Sequence, residues 1–529
     1  MIHCDNWVIK YDCRQIKYDH QRLSEIYNKW RCLLSTVYIA QEELDRQRGF
    51  SNSVRRLLVS ETKFYIYTYG CQLNDNDTEK LKALLLEMGF SETEDPTVAD
   101  LILMNTCSVR GNADQRFFGN LGIVKTIKEK NPKLIVGVCG CMMKVDEHVE
   151  KIRRSYSFVD IIFGTSDIHR LPELLYRRLS GVRRVYDISD DDVIAEGVPM
   201  ARERRYRALC TIMYGCNNFC SYCIVPYTRG RERSRKKEQV LAEIRDLVAD
   251  DFSEVLLLGQ NVNAYGKDLP AKGGESYSFA NLLEDVAKTG MRRIRFMTSH
   301  PKDITLELLD VMAAYDNIEQ HLHLPLQSGS DRILKEMNRH YTAEHYLDII
   351  KEARLRMPDL AFSTDIIVGF PGETEEDFQA TLDVVAAVGF DSAYTFQYSP
   401  RVGTPAALEI NKVPKEVVTE RFNRLLELQN QNALSANQRR VGTRPEVLIE
   451  GLADHHEGQL TGRSSDNCLI NFTVSNEIFD QLNIERDNYS ILGNKLEGAF
   501  CKVEITEARM FSVNGKLLEL TYIPTTPSC

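Results

Sequence analysis

Residues 214–230 read YGCNNFCSYCIVPYTRG, and within that run Cys216, Cys220 and Cys223 are spaced by three residues and then by two. This spacing lets three thiolates converge on one small object. Three ligands are one fewer than a closed four-coordinate site needs, and an open position suits chemistry better than structure. Zinc is the competing reading, but structural zinc sites come as paired CxxC units or with histidines nearby, and the run has neither.

Working outward, the run follows the first of six apolar strands that alternate with helical patterns: TIMYGC, EVLLLGQ, RIRFMTS, HLHLPLQS, AFSTDIIVGF and SAYTFQYS. Six such units predict an incomplete barrel with its active site at the carboxyl ends of the strands, where the cysteine run sits. Upstream, FYIYTYGC, LILMNTC and KLIVGVCGC are apolar strands ending at Cys71, Cys107 and Cys141. The helical patterns between them make a βαβαβ array with a parallel sheet. Loops at the carboxyl ends of parallel strands share one edge of the sheet, so cysteines 36 and 34 residues apart are able to meet there. Burial in apolar strands is the plain alternative for them. Cys139 competes with Cys141 for the third place. From about Arg440 the pattern turns to short strands separated by turns, which predicts a small antiparallel barrel, interrupted by an insertion near Ser475 to Asn494. The fold class is therefore α/β: an N-terminal parallel-sheet βαβ domain, a partial (βα)6 TIM-like barrel and a small C-terminal β-barrel. The expected boundaries are 1–60 for an extension, 61–186 for the first domain, 187–201 for an acidic linker, 202–436 for the barrel and 437–525 for the last domain. The extension holds Trp7, Trp30, Cys4, Cys13 and Cys32, and reads as helical from about Leu23 to Asp45.

A chain of 529 residues exceeds what one core usually serves. Its 43% hydrophobic and 27% charged content is that of a globular protein. No uninterrupted apolar run approaches membrane-spanning length, and no signal-peptide order is visible, so a cytoplasmic protein with no membrane partner is expected. Fourteen cysteines in such a chain point to reduced thiols and metal ligation. The net charge of -10 argues against a nucleic-acid partner. From Arg202 to Lys237, however, ten basic residues face only Glu203 and Glu232. This bias brackets the cysteine run and predicts a polyanionic substrate delivered to it.

CxxxCxxC is the signature of the radical S-adenosylmethionine enzymes, which this sequence resembles. Within that group, a cysteine-bearing first domain, a radical barrel and a small terminal β-barrel resemble the methylthiotransferases, whose last module is the RNA-binding TRAM domain. The strings NTCSVR (105–110), GCNNFCSYCIVPYTRGRERSR (215–235), LGQNVNAYG (258–266), HLPLQSGS (323–330) and TDIIVGFPGET (364–374) are similar to the branch that acts on dimethylallyladenosine in tRNA. The resemblance runs from about Thr62 to the C-terminal region and leaves the extension out.

That resemblance implies two 4Fe-4S clusters, one on Cys216, Cys220 and Cys223 and an auxiliary one on Cys71, Cys107 and Cys141, each with an open iron. It implies two molecules of S-adenosylmethionine, one a methyl donor and one a radical source. The methylthio group goes to C2 of N6-dimethylallyladenosine at position 37, beside the anticodon, with sulfur from the auxiliary cluster. An electron donor such as flavodoxin or ferredoxin and a sulfur source are further implied partners. By the barrel rule, Gln260, Asn261, Gln327, Ser328 and Asp365 are candidates to bind S-adenosylmethionine, together with Arg339 and Tyr398, each with a packing or loop-capping reading beside it. Arg229, Arg231 and Arg233 are expected on RNA phosphates, which planar guanidinium forks suit. The alternatives are a relative acting on threonylcarbamoyl-adenosine in tRNA, one acting on a ribosomal-protein aspartate, and a non-catalytic iron-sulfur RNA-binding redox sensor.

Overall fold

The computed structural model describes residues 37–58, 61–109, 111–189, 192–204, 206–269, 277–454 and 458–525. Trp7, Trp30, Cys4, Cys13 and Cys32 lie outside them. In the first domain the strands Phe90–Glu92, Thr62–Thr68, Leu101–Thr106, Ile135–Gly140, Ile161–Phe163 and Val185–Asp187 stand side by side in that order, every neighbouring pair parallel. Leu101–Thr106 and Ile135–Gly140 are buried along their whole length. Such doubly covered strands read as nearly continuous apolar runs because helices pack on both faces.

Of the helix expected from about Leu23 to Asp45, the part before Val37 lies outside the described residues, and Val37–Tyr38 within it is a strand. Among the described residues the helix of the extension is Gln41–Leu57, with Glu42 and Glu43 in the first turn and Arg55 and Arg56 in the last, charges that complement the helix dipole. Val54 is fully buried in the core with Leu81 and Leu85. Val37–Tyr38 pairs in parallel with Val193–Ile194, so a strand of the expected linker is held by the extension. A boundary at residue 60 therefore separates segments that pack as one body.

The barrel consists of two three-stranded parallel halves. Arg207–Thr211, Glu254–Leu258 and Arg293–Phe296 form one, and His321–His323, Ala361–Val368 and Ser392–Gln397 the other. A bridge between Ile294 and Ile318 connects them. Alternation sorts the faces: Phe362, Ile366 and Val368 pack against Phe378, Val384 and Val385 in the helical layer, which turns Ser363, Asp365 and Ile367 toward the lumen. At the floor of the barrel Arg295 bridges Glu254 and Glu319. Arg207 and Arg293 reach from there to Glu450 (2.7 Å) and the Arg463 carbonyl (2.8 Å), seating the last domain under the floor.

That last domain is a closed barrel of Glu446–Leu452, Leu460–Ser464, Leu469–Thr473, Val513–Tyr522 and Phe500–Ala508, in this spatial order. One seam corrects the all-antiparallel expectation: Leu469–Thr473 and Val513–Tyr522 run parallel, with Ile470 opposite Val513. The connection that a parallel pair requires is long here: the helices Asn476–Gln481 and Tyr489–Leu496 and then the strand Phe500–Ala508 lie between the two strands. Among the described residues, no helix is long and apolar enough to cross a membrane.

Candidate active site

The cysteine run leaves its strand through a narrow neck, where Met213–Tyr214 pairs antiparallel with Arg233–Ser234. Gly215 sits there at φ +73°, and a Cβ on it would lie 1.9 Å from the Arg231 carbonyl oxygen, so only glycine fits. The Cys216 amide donates to the Gly230 carbonyl at 3.1 Å, and that of Cys223 to the Cys220 carbonyl at 2.9 Å. Both halves of the barrel fasten the loop. Asn338 donates to the carbonyls of Asn218 (3.2 Å) and Phe219 (2.9 Å), and Lys302 Nζ to Asn218 Oδ1 (2.6 Å). Arg339, anchored on the Pro325 carbonyl, brings Nη1 to 3.6 Å from Cys220 Sγ. Burial and then the neighbouring Cys220 thiol push Cys223 up to about 12, and burial also raises Cys216.

The second thiol set is gathered by topology. Cys71 stands at the start of the helix Gln72–Glu87, Cys107 just past Leu101–Thr106, and Cys141 just past Ile135–Gly140. Gly70, at φ +107°, passes so close to Cys107 that a Cβ would lie 2.3 Å from its Sγ. Asn74 ties the strand ends together, donating to the Tyr69 and Thr106 carbonyls at 2.7 Å each. A hydrogen bond from Cys107, opposed by burial and helped by the Arg229 charge, lowers Cys71 to about 5. Cys141 is raised by burial, although Arg229 opposes it. Cys139, within its strand, belongs to the apolar cluster with Leu103, Ile161 and Phe163, and burial raises its thiol well above the usual range. The turn after Gly140 carries Cys141 out of that cluster, so the two cysteines do not share surroundings.

Two arginines connect the first domain to the barrel. Arg229, six positions after Cys223, is buried at 6% exposure. Its Nε lies 3.1 Å from Cys141 Sγ, and its Nη2 bonds Asn74 Oδ1 (2.6 Å) and Asp77 Oδ2 (2.8 Å). Arg401, just past the sixth barrel strand, donates to the Val109 carbonyl at 2.9 Å, two residues after Cys107.

Two expected phosphate contacts are corrected here. Arg229 is spent on Cys141, Asn74 and Asp77, and Arg233 is buried against Asp192 (3.3 Å) and the carbonyls of Arg229 and Arg231. Arg231 remains partly exposed, stacked 4.2 Å over the Phe219 ring. Other members of the basic run are paired as well: Arg202 with Glu79 and Glu243, and Arg235 with Glu196 and Glu243. Their counter-charges lie outside the counted window, Glu196 and Glu243 just beyond its ends and Glu79 far upstream, so a count within the window overstated the free positive charge.

The barrel mouth holds polar atoms without partners. Among the described residues, buried side-chain atoms of Gln260, Asn261, Asn263, Ser299, His300 and Tyr398 make no hydrogen bond within the protein. Buried polar groups are nearly always bonded, so such a cluster at the strand ends calls for a polar ligand. Asn263, Ser299 and His300 were missed in the sequence, although they adjoin the quoted strand ends LGQ and MTS. Burial, reinforced by Arg339 and Lys302, keeps His300 neutral. Asn261 Nδ2 donates to Asp303 at 2.6 Å. Asp365 lies 3.7 Å from His323 Nε2, and Gln327 takes a left-handed φ of 65° while its amide donates to the Asp365 carbonyl. Ser328 is corrected: it is fully buried, and its hydroxyl is occupied by Thr381 (3.3 Å) and the Ser330 amide (3.2 Å).

Among the described residues no three His, Cys, Asp or Glu side chains close around a single ion. A tetrahedral zinc site draws its thiolate ligands to about 2.3 Å from one centre, whereas a four-iron cluster offers each thiolate a separate iron. The donor sets here are all thiol and three-membered, which fits the cluster.

Residues 63–164 match the Uncharacterized protein family UPF0004, residues 210–385 the Radical SAM superfamily and residues 438–518 the TRAM domain. The chain is 47% identical over 455 residues to the tRNA-2-methylthio-N(6)-dimethylallyladenosine synthase of Acetivibrio thermocellus, covering 84% of this chain and 94% of that one. With the enzyme of the same name from Caldicellulosiruptor saccharolyticus it shares 51% over 416 residues, 78% of this chain and 87% of that one. Among solved structures, the radical S-adenosylmethionine methyltransferase TsrM from Kitasatospora setae is similar with a TM-score of 0.49 and 16% identity, covering 66% of this chain and 78% of that one.

Proposed function

The chain belongs to the tRNA-2-methylthio-N(6)-dimethylallyladenosine synthase family, and we propose that it replaces the C2 hydrogen of N6-dimethylallyladenosine at position 37 of tRNA with a methylthio group. It is a radical S-adenosylmethionine enzyme that uses iron-sulfur clusters. In this reading Cys216, Cys220 and Cys223 would hold the cluster that binds S-adenosylmethionine, and Cys71, Cys107 and Cys141 the auxiliary one. When bound, these groups supply hydrogen abstraction from an unactivated C–H bond and the sulfur and methyl that replace it. Acid-base catalysis alone does not reach that bond, which is why a cofactor of this kind is needed.

The observation that carries the reading is the reach of Arg229, from the segment that closes the CxxxCxxC loop to Cys141. It ties the segment after the CxxxCxxC loop to the second thiol set, which supports a cavity shared by both. The protein's own residues then have separable tasks. Arg229 offsets thiolate charge at Cys141, and Asp77 holds its guanidinium in place. Arg339 backs Cys220. Gln260, Asn263 and Ser299 offer unused donors and acceptors to the polar parts of S-adenosylmethionine. The anticodon loop splays a base outward at modest cost, and the TRAM domain gives the RNA a second point of attachment. Flavodoxin or ferredoxin as electron donor, an external sulfur source, and Arg231 as a phosphate contact complete the proposal.

Nucleoside analysis of tRNA from cells lacking the chain tests it. The methylthio prenyl nucleoside should vanish and its unmethylthiolated precursor accumulate, with recovery on re-expression. Unchanged tRNA overturns the reading, and loss of a methylthiolated threonylcarbamoyl nucleoside instead would favour that alternative. A redox sensor would restore nothing and release no 5′-deoxyadenosine.

A further inference from the structure

Two aromatic rings face the barrel lumen without cover. Tyr394 and Phe396, on the edge strand Ser392–Gln397, are 50% and 48% exposed. In register they stand beside Asp365 and Ile367. That is the lumen side, because the residue two before Asp365 on the same face, Ser363, bonds both His321 and His323 at 2.8 Å. The His323 ring meets Tyr394 edge-on at 5.8 Å. Beside Phe396, Ile367 packs on the small cluster that also takes Tyr222, between Cys220 and Cys223. The rings therefore lie between a polar histidine layer and the cysteine loop. Four residues past the strand, Arg401 holds the loop that follows Cys107.

The lumen thus has two unlike walls. The unbonded polar atoms of Asn263 and Ser299 follow the second and third strands, whereas the uncovered rings lie on the sixth, with the Tyr398 hydroxyl just past its end. A polar ligand suits the first wall and an apolar one the second. We infer that Tyr394 and Phe396 receive the dimethylallyl arm of the substrate adenine and set the preference for prenylated RNA. This rests on the substrate proposed above. The arm is a branched hydrocarbon that forms no hydrogen bond, so its preference for a site comes from apolar area removed from water, and half-exposed rings offer that area.

The test uses the full-length, anaerobically reconstituted protein and two anticodon stem-loop RNAs of one sequence, one carrying N6-dimethylallyladenosine at position 37 and one plain adenosine. Wild type should bind the first more tightly. Phe396→Ala should weaken that RNA about tenfold, as loss of an apolar contact of this size does, and leave the plain RNA and S-adenosylmethionine binding unchanged. Tyr394→Leu, which keeps an apolar side chain, should give a smaller loss in the same direction. Retained preference in Phe396→Ala overturns the inference, as does equal weakening of both RNAs. Weakened S-adenosylmethionine binding would assign the rings to that ligand and overturn it too. Should wild type itself show no preference, the substrate reading fails along with the inference, so the two failures are distinguishable.

Discussion

The two thiol sets reach their sites by opposite means. Cys216, Cys220 and Cys223 lie within one loop, and short-range turns bring them together. Cys71, Cys107 and Cys141 come from three strand ends, and only the parallel sheet assembles them. Their electrostatics differ as well. Arg229 lies against Cys141 with Asp77 and Asn74 behind it, while the loop triad has Arg339 at 3.6 Å from one thiol. The comparison teaches that a local motif needs a neck and a brace, whereas a dispersed site needs a charged strut from another domain.

The largest effects separate the sets outright. Cys220→Ala should abolish 5′-deoxyadenosine formation and lower iron from about eight to about four per chain. Cys107→Ala should lose a similar amount of iron and all methylthio transfer, yet retain some 5′-deoxyadenosine. Iron counting beside product analysis checks both. Equal loss of cleavage in the two variants breaks the division of labour.

This asymmetry also governs what was legible in the sequence. The CxxxCxxC spacing, five of the six barrel strands and the three cysteine-ended strands are local patterns with counterparts in the fold, but the first barrel strand is Arg207–Thr211, upstream of the expected TIMYGC, because Met213–Tyr214 pairs across the neck instead. Arg229 and Arg233 were misread because Asp77 and Asp192, their partners, are 152 and 41 residues away in sequence. No charge count along the chain contains that pairing. Ser328 was misread for a similar reason, since Thr381 on another helix occupies its hydroxyl. The parallel seam of the last barrel depends on the long path between its two strands, which strand patterning does not encode.

The strut itself gives the next effect. Asp77 and Arg229 are each 5% exposed in their side chains, 2.8 Å apart. Removing one partner of a buried pair costs about 3–5 kcal/mol because the other charge stays buried. Asp77→Asn should therefore lower the melting temperature of the apoprotein and reduce iron retention at the auxiliary set before the loop triad. An unchanged melt would mean that Cys141 and Asn74 hold Arg229 without it.

Reactivity sharpens the contrast in the apoprotein. Cys71 is lowered to about 5 and Cys223 raised to about 12, and both are partly exposed. A thiolate fraction saturates above its pKa, so labelling of Cys71 by iodoacetamide should be flat from pH 7 to 9, whereas that of Cys223 should climb with pH. At pH 7 Cys71 should react more than about tenfold faster, since the thiolate is the nucleophile. Peptide mass spectrometry reads the sites separately. Parallel climbs would remove the electrostatic half of the comparison.

The smallest effect tests whether the loop triad depends on its surface links. Asn217 is exposed and exchanges hydrogen bonds with Glu232 across the neck, its backbone amide at 3.0 Å and its side chain at 3.3 Å. Asn217→Ala removes only the side-chain links, and exposed bonds of this kind contribute about 1 kcal/mol or less. Asn218, one residue on, is buried and bonded to Lys302, so it stays to brace the loop. The variant should keep about eight irons per chain and melt within a degree or two of wild type. Loss of the triad's iron on so slight a change would mean that the loop does not gather its own thiols, and that both sites depend on contacts from outside.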